Sequence, residues 1–166
     1  MTNETTQVAI IMGSDSDLPI VEAIFPILDS FGVKFTKNVM SAHRTPHDVM
    51  DLIKKSEDKG CKVFIAAAGM AAHLAGAVAA HSTRPVIGIP IESGGMGGID
   101  SLLSTAMMPP GVPVATVAVG KSGAKNSAIL AVQILATADE NLAEKLIEYK
   151  QNMRSEVLEK DKKLNS

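Results

Sequence analysis

The stretch VAIIMGSDSD, residues 8–17, joins a short apolar run to a turn of glycine, serine and aspartate. Five consecutive apolar residues predict a strand that is covered on both faces, as strands of a parallel sheet are. Gly13 permits a sharp turn, and the polar residues after it are typical of a helix start. The stretch therefore predicts the first strand, turn and helix of an α/β domain.

The same unit recurs along the chain. Four more apolar runs predict strands at 33–39, 62–68, 86–91 and 114–119. Helical patterns lie between them, at 18–31, 46–59, about 71–81 and 125–138. Strand and helix in alternation predict a doubly wound, parallel α/β sheet.

Local signals predict where two of these helices begin, bend and end. Pro26 should kink the first helix, since proline has no N–H and clashes with the preceding turn. Gly32 is a plausible end for it. The next helix should be capped by Thr45, have Pro46 in its first turn, and end at Gly60.

The chain reads as one domain of 166 residues with two parts, an α/β core at 8–138 and a helical tail at 139–166. The tail holds 13 charged residues in 28, with a partial apolar stripe, which predicts an amphipathic helix packed on a neighbour. Residues 63–138 instead hold only five charges in 76. Exposed helix faces are normally charged, so we expect this region to be buried in a homo-oligomer of closed symmetry.

Bulk composition argues against several classes of protein. A net charge of −2 and 3% aromatic residues do not favour nucleic-acid binding. Cys61 is the sole cysteine, so no intrachain disulfide is expected, and a reducing, cytoplasmic location is predicted. Residues 1–7 are polar, unlike a signal peptide. Residues 63–83 carry no Asp, Glu, Lys or Arg but are rich in alanine, which favours a strand and a helix over a membrane span.

Ligands of an open parallel sheet bind at the carboxyl ends of its strands. That rule selects five loops, at 13–17, 41–44, 69–73, 92–98 and 120–126, and all except the fourth clearly lead into a helix. In the first loop, Ser14 and Ser16 can help to cradle a phosphate, and Asp17 suits either a helix cap or the hydroxyls of a ribose. A plain capped turn explains the same residues equally well.

Stronger nucleotide and metal motifs are missing from the sequence. A triphosphate-binding loop around Gly120 would need glycine at position 115, where the chain has alanine. No G-x-G-x-x-G follows the first strand, and no His, Cys, Asp and Glu cluster has the spacing of metal ligands.

The second loop holds the best candidates for chemistry. His43 can gain or lose a proton near neutral pH, and Arg44 beside it can hold an anion. His73 stands at the rim where the third strand ends, so it too can line a site. His47 and His81 are better explained as an exposed residue and a helix-end cation.

Four motifs together resemble the 5-(carboxyamino)imidazole ribonucleotide mutase family of purine biosynthesis. They are GSDSD (13–17), SAHRTP (41–46), AAHL (71–74) and the long run at 108–135. The resemblance covers about residues 8–138. It implies a three-layer, flavodoxin-like fold, an octamer with sites at subunit junctions, no cofactor or metal, and transfer of a carboxylate from the exocyclic amine of the substrate to carbon 4 of its ring.

The resemblance also implies roles for individual residues. The family's catalytic histidine falls on His43, and its substrate-binding positions fall on Ser14, Asp17 and Arg44. Further site-lining positions fall on Ser16, Ser41, Ala72, His73 and Leu74.

The third loop departs from the family's pattern. Ala67, Met70 and Ala75 stand where two glycines and a proline are typical, which puts the motion of the loop in doubt more than the chemistry. Two alternatives to a mutase stay open. One is a sister enzyme that carboxylates the aminoimidazole directly, whose motif has lysine in place of Arg44. The other is a non-catalytic flavin- or nucleotide-binding module.

Overall fold

A computed structural model describes residues 5–165 and contains one parallel sheet of five strands. The strands are β1 (Val8–Met12), β2 (Phe35–Val39), β3 (Val63–Gly69), β4 (Val86–Ile91) and β5 (Ala115–Thr116). Their order across the sheet is β2-β1-β3-β4-β5, which is the flavodoxin-like order. The predicted fold class is confirmed.

Both faces of the sheet are covered, which makes three layers. Alternate residues of β1, such as Ile10, pack in one apolar cluster with the helices at 18–31 and 121–136. The residues between them, such as Ile11, pack in a second cluster with the helices at 46–58 and 74–81. Since side chains alternate along a strand, continuous apolar runs are what a sheet buried on both faces requires.

The first helical region is broken as its proline predicts. It consists of α1 (Leu18–Val21), a 3-10 turn (Glu22–Ile24) and α2 (Phe25–Phe31). Pro26 has no N–H for the carbonyl of Glu22, four residues earlier, and the N–H of Phe25 bonds that carbonyl instead. Gly32 ends α2 at φ 75°, a left-handed conformation that glycine adopts freely.

The next two helices are α3 (Pro46–Asp58) and α4 (Leu74–His81). Both were predicted, but the capping role of Thr45 was wrong. Thr45 stands just before α3, yet its hydroxyl bonds the backbone of Ser41 instead of a free N–H of the helix. Gly60 follows the end of α3 at φ 92°, as the sequence indicates.

The second half of the sheet differs more from expectation. Helix α5 (Ile99–Ala106) was not predicted, and α6 (Lys121–Ala136) begins four residues earlier than expected. Strand β5 was predicted over 114–119 but pairs with β4 only at two residues. After the bond from Val117 N–H to Gly88 O, the next rung of a parallel ladder needs an N–H at position 90, where Pro90 has none.

The chain ends in α7 (Glu140–Leu164), which packs its first turns against α6. Asp139 caps this helix, accepting a hydrogen bond from the N–H of Leu142 at 3.1 Å. Residues 63–83 form β3 and α4, as predicted. Among residues 5–165, no helix combines the length and the apolar character that crossing a membrane requires.

Candidate active site

A cleft of about 560 Å³ lies at the carboxyl ends of the first three strands. Met12 is in register with both Val39 and Ala67, so β1, β2 and β3 bring their following loops to the same level. Eight of the nine predicted site residues line the cleft: Ser14, Ser16, Asp17, Ser41, His43, Arg44, His73 and Leu74. The ninth, Ala72, directly precedes His73 in the same loop but is 2% exposed and does not line the cleft.

The first loop is organised by its own side chains. Ser14 Oγ accepts hydrogen bonds from the N–H of Ser16 at 3.3 Å and from its hydroxyl at 2.9 Å. The Oδ2 atom of Asp17 accepts from the N–H of Ser14 at 3.0 Å, which completes a capping box. The loop is therefore a capped turn in the free protein, and its serine hydroxyls face the cleft.

Asp17 is the buried carboxylate of the site, at 6% exposed. Burial raises the pKa of Asp17, because a charged carboxylate loses solvation there, and the charge of Asp15 acts in the same direction. The hydrogen bond from the N–H of Ser14 lowers the pKa and offsets part of that effect. A carboxylate so placed accepts hydrogen bonds well, which suits hydroxyl groups better than a phosphate.

The second loop, residues 40–45, will be called the His43 loop. Thr45 Oγ accepts from the N–H of Ser41 at 2.9 Å and donates to its carbonyl at 3.1 Å. Ser41 Oγ in turn accepts from the N–H of Arg44 at 3.2 Å. Residues inside the loop thus hold its shape.

Arg44 connects the first two loops. Its Nη2 donates to the carbonyl oxygen of Gly13 at 3.1 Å, which brings the guanidinium to the turn that Ser14 opens. An arginine has five N–H donors, so the bond to Gly13 leaves several for an anion. The cleft thus has a cation beside a set of serine hydroxyls.

The two histidines of the cleft are in contact. Nε2 of His43 lies 2.8 Å from Nδ1 of His73, and the rings meet edge to face with centroids 5.0 Å apart. At that distance one nitrogen carries a proton and the other accepts it. Sequence analysis selected both residues, but their pairing across 30 positions of the chain is visible only in the structure.

The third loop, residues 70–73, will be called the His73 loop. Met70 adopts φ 56°, the left-handed region that favours glycine, and is the one non-glycine residue among 5–165 to do so. Glycine, which the family resemblance leads us to expect there, would take this conformation without steric cost. Met70 is also 63% exposed and lines the cleft.

Two other features of the site were missed by sequence analysis. Ser93, after β4, lines the cleft, and a Cβ on Gly69 would clash with its side chain, so a larger residue at position 69 would displace Ser93. Ser104 of α5 bonds the backbone of the His73 loop. Ser93 lies in the loop at 92–98 that the strand-end rule selects, whereas Ser104, inside a helix, has no local motif that could reveal it.

Other candidates lie away from the cleft. The fifth loop, at 120–126, contributes no lining residue, and most of it belongs to α6. His47 is exposed in the first turn of α3, and a ring nitrogen of His81 lies 2.8 Å from the carbonyl of Ala77. Within residues 5–165, no group of three or more His, Cys, Asp and Glu side chains is arranged to hold a metal ion.

Comparison with known proteins gives concordant results. The AIR carboxylase family profile matches residues 7–156. The N5-carboxyaminoimidazole ribonucleotide mutase of Methanocaldococcus jannaschii is 50% identical over 95% of this chain and 96% of its own. That of Bacillus subtilis is 49% identical over 95% and 97%. The crystal structure of Treponema denticola PurE superposes with a TM-score of 0.87 at 30% identity, covering 96% of this chain and 99% of that one. The chain belongs to the AIR carboxylase family.

Proposed function

We infer that this chain is an isomerase of purine biosynthesis and carries out the N5-carboxyaminoimidazole ribonucleotide mutase reaction. Relatives of that name match 89–99% of the chain at 45–50% identity. The observation that carries the conclusion is the contact between His43 and His73 beside Arg44 in one cleft. The same relatives disfavour the flavin- or nucleotide-binding module, and they favour the mutase over the direct carboxylase.

The reaction requires one proton to be delivered to the carbamate nitrogen and one to be removed from carbon 4 of the ring. The carbamate nitrogen of the substrate accepts a proton as its bond to the carboxylate carbon breaks, which releases carbon dioxide. Carbon 4 of the ring then attacks the carbon dioxide and loses its own proton. The net change is an isomerisation, so a single base that gives the first proton and recovers the second is sufficient.

His43 is the residue to which we assign that proton. It lies exposed in the cleft, so its ring can reach a substrate, and its hydrogen bond to His73 orients it. His73 completes the pair, because its Nδ1 can donate to Nε2 of His43 or accept from it, which leaves the other ring nitrogen of His43 for the substrate. A proton donor held in place beside the bound substrate would make proton transfer intramolecular, which accelerates a reaction.

The other lining residues bind the ribonucleotide. Arg44 holds the phosphate together with the hydroxyls of Ser14 and Ser16, while Asp17 accepts the ribose hydroxyls. Ser41, His73 and Leu74 border the ring and the carbon dioxide, while the buried Ala72 adjoins His73 in the chain. Carbon dioxide is small and neutral, so the apolar wall built by Ala42, Ala68 and Met70 suits its retention.

We further propose that the domain, with its core at 8–138 and its tail at 139–166, works as a cytoplasmic homo-octamer. Five large apolar side chains between positions 70 and 107 are 53–78% exposed in the isolated chain: Met70, Met96, Ile99, Leu103 and Met107. Contacts with other copies would bury them. Light scattering should give the mass of eight chains, and a stable monomer would contradict this arrangement.

The buried, unpaired Cys61 fits a reducing compartment.

Isotope labelling distinguishes the mutase from the direct carboxylase. The substrate carries label in its carboxylate, and unlabelled bicarbonate is present in excess. A mutase retains the carbon dioxide in the cleft, so most of the label should appear in the early product. A product that carries mainly unlabelled carbon, together with faster reaction of the free aminoimidazole ribonucleotide, would contradict the mutase assignment.

A further inference from the structure

We propose that Ser104 is a positioning residue that holds the His73 loop in the shape required for contact between His73 and His43. The inference rests on the proposed role of the histidine pair. Ser104 lies on α5, which follows β4, and is absent from the cleft lining. It acts through the backbone of the loop.

The hydroxyl of Ser104 is a donor within its own helix, where the carbonyl of Ser101 also lies 3.2 Å away, and an acceptor for the loop. It donates to the carbonyl of Asp100 at 2.7 Å, one turn earlier in α5. It accepts from the N–H of Ala72 at 2.9 Å, across 32 positions of the chain. The carbonyl of Met70 lies 3.4 Å from the same oxygen.

The N–H of Ala72 has particular need of that acceptor. Ala72 is 2% exposed, so water cannot readily replace the hydroxyl. A buried N–H without an acceptor is destabilising, and the backbone of the loop would shift to satisfy it. His73 is the next residue and would move with the loop.

The loop also contains a conformation that needs to be held. Met70, two residues before Ala72, is in the left-handed region that a side chain disfavours. Such a residue persists only where its surroundings determine it. The bond from Ala72 to Ser104 supplies that restraint on one side of Met70, and the end of β3 supplies it on the other.

The test compares the Ser104→Ala variant with the unmodified protein. We expect kcat to fall roughly tenfold, as when one buried N–H loses its acceptor. KM should change little, because the proposed phosphate and ribose contacts belong to the other two loops. Ser104→Thr retains the hydroxyl and should retain the rate. Ser127→Ala removes a buried hydroxyl that bonds only the carbonyl of Ala124 in α6, and it should leave kcat unchanged.

A second measurement needs no substrate. Hydrogen exchange in peptides spanning 69–76 should become faster in Ser104→Ala and stay unchanged in Ser127→Ala. A double-mutant cycle adds Met70→Gly, which takes the left-handed conformation without strain. If the strained backbone of Met70 is what makes the bond from Ala72 to Ser104 necessary, Ser104→Ala should lower kcat less in the Met70→Gly variant than in the unmodified protein.

Three results would overturn the proposal: unchanged exchange in Ser104→Ala, faster exchange with unchanged kcat, or an equal loss of kcat in Ser127→Ala. None of them bears on whether the protein is a mutase, because isotope labelling tests that separately.

Discussion

The His43 loop and the His73 loop bring their histidines within 2.8 Å of each other, but they are held in different ways. The His43 loop is restrained by its own residues, through the bonds among Ser41, Arg44 and Thr45. The His73 loop depends on Ser104 from a distant helix and contains the left-handed Met70. A motif in the sequence can therefore describe the first loop almost completely, while the second is only partly encoded where it occurs in the chain.

The largest effect should come from the histidine of the self-restrained loop. His43→Asn keeps a hydrogen-bonding side chain but removes the imidazole to which proton transfer is assigned. Turnover should fall at least about a hundredfold, the lower end for general acid–base catalysis. Steady-state kinetics gives the rate, and product binding by calorimetry should be preserved. His47→Asn, in the exposed first turn of α3, is the matched control. Turnover close to normal in His43→Asn would assign the proton transfer to His73.

The next effect concerns the link between the first two loops. Arg44→Leu removes a charge-assisted contact to phosphate that is worth roughly 1.5–3 kcal/mol. Affinity for the nucleotide should fall about ten- to a hundredfold, while the nucleoside, which has no phosphate, should lose much less. The control is Arg84→Leu, which makes the same change at an exposed site away from the cleft and should leave the affinity for both ligands unchanged. An equal loss of affinity for the nucleotide and the nucleoside would show that Arg44 stabilises the loop and does not bind the phosphate.

A smaller effect tests whether the His43 loop holds itself. Thr45→Val keeps the size of the side chain but removes the hydroxyl that both accepts from and donates to Ser41. Loss of these hydrogen bonds should destabilise the native shape of the His43 loop by about 1 kcal/mol. Turnover should therefore fall roughly fivefold. Hydrogen exchange should become faster at 41–45 and not at 70–73. Thr137→Val, whose exposed hydroxyl bonds Ile134, is the control. Faster exchange in both loops would show that they are not restrained separately.

The smallest effect appears only in the pH dependence of stability. Burial raises the pKa of Asp17 in the folded chain, so ionisation of this residue disfavours folding. As pH rises from the ordinary value of about 3.9 through the raised value, the unmodified protein should lose stability relative to Asp17→Asn and then level off. The amide oxygen of asparagine can still accept from Ser14. Urea unfolding at several pH values measures the difference, and Asp51→Asn, at an exposed position, should show none. A difference of opposite sign would mean that the hydrogen bonds outweigh burial.

Much of the fold follows from short-range signals. Short apolar runs predicted the four longer strands, although the run at 33–39 also contains polar residues, and Pro26 and Gly32 predicted where the first helical region bends and ends. The length of β5 could not be predicted, because Pro90 on the neighbouring strand removes a rung of the ladder. Helix α5 was missed, since its start at Gly98, with φ 82°, has no side-chain cap.

By itself, the sequence determined the class of fold, the edge of the sheet at which the candidate cleft lies, and the choice of His43 and Arg44 as candidate residues. Those properties depend on residue types and on neighbours within a few positions, which a motif records. Only the tertiary structure decided that His43 touches His73, that Arg44 reaches Gly13 and that Ser104 supports the His73 loop. Each of these contacts joins residues about 30 positions apart, and their distances depend on the register of the strands between them.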